Sequence, residues 1–364
     1  MKEKIKNTAG IVFLSLMAMS CAFMALDILS RPFLSSRSPI ERKFSVTAAR
    51  HPQPYTMFGG LKHARHLEKF MIPGGLNRMG YKGQVPKIPK TTGEYRIIML
   101  GGSTVLIGNP SIPQLLETIF TENGHSNVKV YNFGVISSVS GQELARIVFE
   151  VSDYDPDLIV MYNGANDILS PLTGDPRPGY PFNFIVYENN PLLDKDISDY
   201  PLFTLMAYGS NIIRAAFPAY FTEKFVRLNE LRKQIGWKSP EWEDAVARAY
   251  VDNISKAQRI SAAFGTDFIA FFQPTVYYKD MLHPWEKKRL NPEVCAYAQK
   301  IRKKINKYSA PILHLSEHFY DLGDLYDQRQ NFIFLDEMHT LQFAKPDAAQ
   351  AMYEKISTRI SQSR

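Results

Sequence analysis

The sequence predicts a doubly wound α/β domain, a parallel sheet flanked by helices in the flavodoxin-like three-layer arrangement, and three observations carry that prediction. Short apolar runs recur at residues 97–100, 128–133, 158–161 and 268–272, with a weaker one at 312–315, each bounded by turn residues as strands buried on both faces are. Segments with helical spacing lie between them, which implies a parallel sheet covered on both sides. Polar clusters follow the carboxyl ends of the first three runs, where open parallel sheets bind ligands.

The helices announce their starts. Ser111 with Gln114 and Ser140 with Glu143 have capping-box spacing, so helices are expected to begin there. Ser239-Pro240 opens another, with Trp242, Ala245, Val246, Ala249, Ile254, Ala257 and Ile260 marking one face. The last carries Ala348, Met352, Ile356 and Ile360 at i, i+4 spacing. From about 168 to 238 the alternation is expected to give way to a partly helical insertion, too long for a plain loop and rich in Pro, Tyr and Phe. Its aromatics, Phe182, Phe184, Tyr187, Tyr200, Phe203, Tyr208, Phe217, Tyr220 and Phe221, suit an insertion core or sugar stacking.

The 364 residues carry 43 Lys plus Arg and 36 Asp plus Glu, a mild net charge of +7, and 45% are hydrophobic. That is globular composition, which excludes disordered, collagen-like and coiled-coil classes. The basic runs 287–289 and 302–304 read as solvated faces, with no aromatic-interleaved stripe to indicate nucleic acid. Cys21 and Cys295 are the only cysteines, so a disulfide framework is not the source of stability. Lys2, Lys4 and Lys6 precede an uncharged apolar run from Gly10 to Leu26, long enough to remain in a bilayer as a signal anchor. Residues 1–30 are therefore expected to be a transmembrane segment, 31–92 a stalk and irregular lead-in, and 93–364 the main domain, outside the cytoplasm and associated with the inner membrane. A cleaved signal peptide, or a lipoprotein with Cys21 as its attachment site, is the alternative.

Gly101-Gly102-Ser103-Thr104 follows the first run, Asn132-Phe133-Gly134 closes the second, Asn163-Gly164-Ala165-Asn166-Asp167 closes the third, and Asp336-Glu337-Met338-His339 precedes the final helix. Together these residues resemble the SGNH/GDSL hydrolase family of esterases, lipases and acetylhydrolases, whose marker Ser, Gly, Asn and His match Ser103, Gly134, Asn166 and His339 in order. The resemblance runs from about Tyr95 to the C-terminus and departs at Gly102, where the family carries Asp. The lead-in, with Asn77 and Gly80-Tyr81, also looks like a membrane-tethered bacterial branch found with cell-surface glycans.

The chemistry agrees with that resemblance. A serine hydroxyl is a weak nucleophile and needs an adjacent base, for which His339 is the candidate. Asp336, three residues earlier, is placed to fix the imidazole tautomer. The oxyanion needs fixed donors, expected from the backbone N–H groups of Ser103 and Gly134 and the amide of Asn166, with glycine at 134 leaving the substrate unobstructed. No cofactor is implied. His51, His63, His66 and His283 lack zinc-ligand spacing, and no Gly-Lys-Ser/Thr follows Gly101-Gly102 to cradle a nucleotide. The expected activity is hydrolysis of O-acyl esters, O-acetyl above all, on a cell-envelope or secreted glycan or on a small ester. An O-acyltransferase, a lipid or lysophospholipid esterase, and a catalytically silent glycan-binding factor are the alternatives.

Overall fold

A computed structural model describes residues 2–30, 51–62, 75–182, 184–189, 202–217, 220 and 226–362. In chain order its main elements are α1 (Lys2–Ser30), β1 (His51–Gln53), β2 (Met57–Gly59), β3 (Tyr95–Gly101), α2 (Ser103–Leu106), α3 (Ile112–Glu122), β4 (Val128–Gly134), α4 (Ser140–Phe149), β5 (Leu158–Asn163) and α5 (Ala165–Thr173). There follow α6 (Phe184–Glu188), α7 (Leu202–Gly209), α8 (Asn211–Ala216), α9 (Leu228–Gln234), α10 (Pro240–Ala263), β6 (Asp267–Phe272), α11 (Pro284–Arg289), α12 (Pro292–Ser309), β7 (Phe319–Asp321) and α13 (Lys345–Gln362). The chain divides into a larger unit, Val46–Phe182 with Gln234–Arg364, and a smaller one, Met1–Ser45 with Asn183–Lys233.

In the larger unit five strands form a parallel sheet in the order β4-β3-β5-β6-β7. Alternation along each strand sends neighbouring residues to opposite layers. Ile97, Met99, Val128, Val130, Leu158 and Val160 pack against Leu116 and Phe120 of α3 and Met352 and Ile356 of α13. Ile98, Leu100, Phe133, Ile159 and Met161 pack instead against Val246, Tyr250 and Ile254 of α10 and Ile301 and Ile305 of α12. The first three expected strands are therefore neighbours in a doubly covered sheet, with β3 between β4 at the edge and β5 at the centre. The register then fixes the site, because Gly101 pairs with both Gly134 and Tyr162, so the loops leaving β3, β4 and β5 emerge at one level.

Two local expectations are corrected. The weak run 312–315 is no strand. Leu313–Leu315 is a 3-10 turn with Leu313 exposed, and its backbone groups are consumed locally, Ile312 N–H bonding Ser309 O and Leu315 N–H bonding Ile312 O. The fifth strand is β7, which begins four residues further on. At α4 the capping role shifts by one residue. Gln142 Oε1 accepts from Val139 N–H at 3.2 Å, while Ser140 and Glu143 turn into the interior, where buried partners outcompete a surface cap. At α3 the expected pairing is present, Gln114 Oε1 accepting from Ser111 N–H at 2.8 Å. Ser239 Oγ likewise caps α10, accepting from Trp242 N–H at 3.2 Å. Ile168, Leu169 and Leu172 of α5 are buried in the main core.

In the smaller unit α1 carries exposed Ile11, Phe13, Leu14, Leu16 and Met19 over an apolar stretch, Gly10–Ser30, that has the length and composition to cross a membrane. Near its end Asp27 is buried. Its Oδ1 accepts from Ser210 Oγ at 2.7 Å and from Ile212 N–H at 2.9 Å, at the start of α8. Ile185 and Val226 form a small cluster with Leu228 and Leu231. Of the insertion's aromatics, Phe182 is buried in the core of the larger unit, whereas Tyr187, Phe217 and Tyr220 are exposed. Phe184 lies 6.2 Å from Tyr187, ring to ring. Tyr200, Phe221, His63, His66, most of the expected stalk and the side chains of Phe203 and Tyr208 lie outside the described residues.

Candidate active site

β3 ends on Gly101-Gly102, and Ser103 opens α2 directly beyond it, buried to all but 6% of its surface. Its Oγ lies 2.6 Å from Nε2 of His339. His339 Nδ1 lies 2.7 Å from Asp336 Oδ2, while Asp336 Oδ1 accepts from the N–H groups of Met338 at 3.0 Å and His339 at 2.8 Å. Asp336 thus holds the ring and the backbone that carries it. Burial pushes its carboxyl upward, but the hydrogen bond and charge of His339 and the two N–H groups prevail and hold it below the usual carboxylate range. An ionised Asp336 accepts a hydrogen bond from Nδ1–H, which fixes the proton on Nδ1 and leaves Nε2 to accept from the Ser103 hydroxyl.

The loop that presents these two residues is clamped from below. Phe334 and Thr340 form an antiparallel bridge, with Leu335 N–H bonded to His339 O at 2.8 Å. Buried Glu286 accepts from the N–H groups of Ile333 and Phe334, both at 2.9 Å, and pairs with buried Lys279 at 2.6 Å. Neither member of that ion pair stands out in the sequence, where Glu286 opens an ordinary basic helix.

Asn166 sits in the first turn of α5, its Nδ2 donating to Ser138 O at 2.8 Å and keeping a second N–H. The amide is packed against Gly102, where an added Cβ would lie 2.6 Å from Nδ2. Gly134 is not brought into this cluster as a donor. Its N–H is spent on Asn132 Oδ1 at 3.0 Å, and an added Cβ would lie 2.6 Å from Leu106 N, so glycine is required for α2 to pack on β4 and not to clear the substrate. Ser137, which the sequence did not single out, is held at φ +63° in the left-handed region, and its N–H meets no acceptor among the described residues. It immediately precedes the carbonyl that holds Asn166, and nothing in its local sequence distinguishes it.

Behind this loop lies a buried polar network. Ser140 donates to Asp167 Oδ1 through N–H at 2.9 Å and Oγ at 2.5 Å, and Asn253 Nδ2 donates to Ser140 Oγ at 3.0 Å. Asn163 Nδ2 donates to Glu143 Oε2 at 2.5 Å, and Tyr250 OH to Asn163 Oδ1 at 2.8 Å. Burial, followed by the charge of Asp167, pushes Glu143 up to about 8, and burial pushes Asp167 up to about 6. A cavity of about 320 Å³ opens beside the serine–histidine pair, lined by Thr104, Ile112, Tyr162, Met338, His339 and Lys345 among others. Among the described residues no group of three His, Cys, Asp or Glu side chains is placed to hold a metal ion.

No protein-family model matches the sequence, and no curated protein matches it. Solved structures are similar. An acetyl xylan esterase aligns over 71% of this chain and 98% of its own, at 11% identity and a TM-score of 0.41. A GDSL-like lipase from Bacteroides thetaiotaomicron aligns over 77% and 93%, at 13% identity and 0.37. A psychrotrophic esterase from Pseudoalteromonas sp. aligns over 74% and 100%, at 12% identity and 0.37.

Proposed function

We propose that this protein is an SGNH-type serine esterase, anchored in the membrane by α1 with its larger unit outside the cytoplasm, which hydrolyses O-acyl and chiefly O-acetyl esters of a cell-envelope or secreted glycan. The observation that carries the reading is the relay from Ser103 through His339 to Asp336, with contacts of 2.6 and 2.7 Å, at the edge of an open cavity. Ser103 Oγ attacks the ester carbonyl as His339 Nε2 removes its proton. The tetrahedral oxyanion is held by the N–H of Ser103, the free N–H of the Asn166 amide and the N–H of Ser137. The imidazolium, stabilised by Asp336, returns the proton to the departing sugar oxygen, and water then releases the acyl group by the same route. Retention of α1 is supported by Asp27, whose bonds to Ser210 and Ile212 make the end of the apolar helix part of the folded smaller unit. The glycan rests on the compartment and on the lead-in's resemblance.

The decisive experiment uses full-length protein in detergent. Ser103→Ala is expected to abolish covalent labelling by a serine-directed phosphonate and to reduce acetate release from acetylated glycan to background. Wild-type protein that binds glycan but neither labels nor releases acetate would identify a binding factor. Transfer of the acetyl group to an acceptor sugar in place of free acetate would identify a transferase.

A further inference from the structure

Two lysines are buried together under the loop that follows α2. Lys82 is 4% exposed and Lys345 6%. Lys345 Nζ donates to Ile107 O, and Lys82 Nζ to the next carbonyl, Gly108 O. Gly108 has φ +125°, and a Cβ there would collide with Lys345 Nζ, so the ammonium sits directly beneath the loop. Each ammonium has three donors and spends one on these carbonyls. Among the described residues neither lysine forms an ion pair with a carboxylate. Asp347, two residues from Lys345, is paired with Arg329 at 3.0 Å, and Glu117, which shares a cleft with Lys82, is paired with Lys129 at 3.1 Å.

That arrangement is unfavourable for a folded protein with nothing bound. Buried charge ordinarily meets a counter-charge, whereas here two like charges are close enough to disfavour one another. Lys345 also opens α13, at the positive end of that helix's dipole. Burial, then the charge of Lys82, push the Lys345 ammonium down to about 8, which leaves it mostly protonated at neutral pH. Three effects of one sign thus concentrate positive potential and unspent donors at one point, and Lys345 lines the same cavity as Thr104 and His339. The rest of that wall, including Ile107, Ile112, Met338 and Leu341, offers no charge of its own.

We propose that this cavity seats an anionic group of the substrate, a carboxylate or phosphate borne by the acylated molecule, against Lys345, whose loop is held from a neighbouring cleft by Lys82. The inference rests on the esterase reading and narrows it, from O-acyl esters in general to those of an acidic glycan or other acidic molecule.

The test uses full-length protein and three acetyl esters: O-acetylated glucuronic acid, its neutral methyl ester, and O-acetylated glucose 6-phosphate. Wild-type kcat/KM is expected to favour the free acid over its methyl ester by about tenfold or more, through KM, the scale of one hydrogen bond to a charged group. In Lys345→Met that ratio is expected to fall close to one, in Lys82→Met to fall in part, and in Lys345→Arg to persist. A wild-type ratio near one for both anionic substrates, or a ratio retained in both methionine variants, overturns the proposal. The larger of the carboxylate and phosphate preferences identifies which anion the site takes. If none of the esters is hydrolysed, the esterase reading fails on its own. Calorimetry with glucuronate and glucose 6-phosphate then decides the anion site, binding to wild type that weakens in Lys345→Met sustaining it and equal or no binding to both proteins overturning it. Should the methionine variants not fold, the wild-type ratio and Lys345→Arg still decide.

Discussion

An added Cβ on residue 102 would lie 2.6 Å from Nδ2 of Asn166, and that amide is fixed on its other side by Ser138 O at 2.8 Å. The Asp that the SGNH pattern carries at this position is therefore incompatible with Asn166 as it stands here, so the Gly102 departure and the placement of the amide are one feature. Gly102→Ala is expected to displace Asn166 and lower kcat on a small acetyl ester by about 10² to 10³, the usual loss for one oxyanion donor. Steady-state kinetics with a KM control checks this. An unchanged kcat would remove Asn166 from the mechanism.

The sheet was legible because β3, β5 and β6 each carry an unbroken apolar run and β4 a nearly apolar one broken by Lys129 and Asn132, and residues such as Ile98 and Met99 must both be buried when helices cover both faces. Ser103, His339 and Asp336 were legible because a short loop after a strand and the Asp-x-x-His spacing leave few other uses for those residues. What could not be read depends on contacts distant in sequence. The chemical case for Gly134 as a donor ignores where its Cβ would point, and only the packing of Leu106 over β4 shows why it is glycine. Glu143 has capping-box spacing from Ser140, yet Asn163, twenty residues on, draws it inward. The run 312–315 is apolar enough for a strand but follows α12 too closely, and turn hydrogen bonds take its backbone.

Burial of Glu143 and Asp167 gives stability a pH dependence of definite sign. Both folded-state values are raised, Glu143 from 4.5 to about 8 and Asp167 from 3.8 to about 6, so between those limits the folded protein holds more protons than the unfolded chain. The contribution is fully present below the unfolded values and is lost as pH rises, through about 6 for Asp167 and about 8 for Glu143. Thermal unfolding of the wild type is expected to move to lower temperature from pH 5 to pH 8. Glu143→Gln, which can still accept from Asn163, is expected to flatten the pH 6–8 part of that curve. A slope of the same size in the variant would place the titration elsewhere.

Asp27 supports the cap of α8. α8 is six residues long, too short to persist on propensity alone, and its start is held by Ser210, whose Oγ accepts from Ile213 N–H at 3.2 Å while donating to Asp27. Asp27 itself accepts from Ile212 N–H, so one carboxylate satisfies both the capping hydroxyl and a terminal backbone donor. Loss of an N-cap costs about 1 kcal/mol, equivalent to about fivefold in the population of opened helix. Asp27→Ala is therefore expected to raise the rate of limited proteolysis within residues 202–217 by about that factor in membrane preparations. Membrane retention should persist, because the apolar run of α1 is unchanged, and ester turnover by the larger unit should stay near wild type. Proteolysis at the wild-type rate would show that α1 and α8 fold independently, and would withdraw the support that Asp27 gives to a retained anchor.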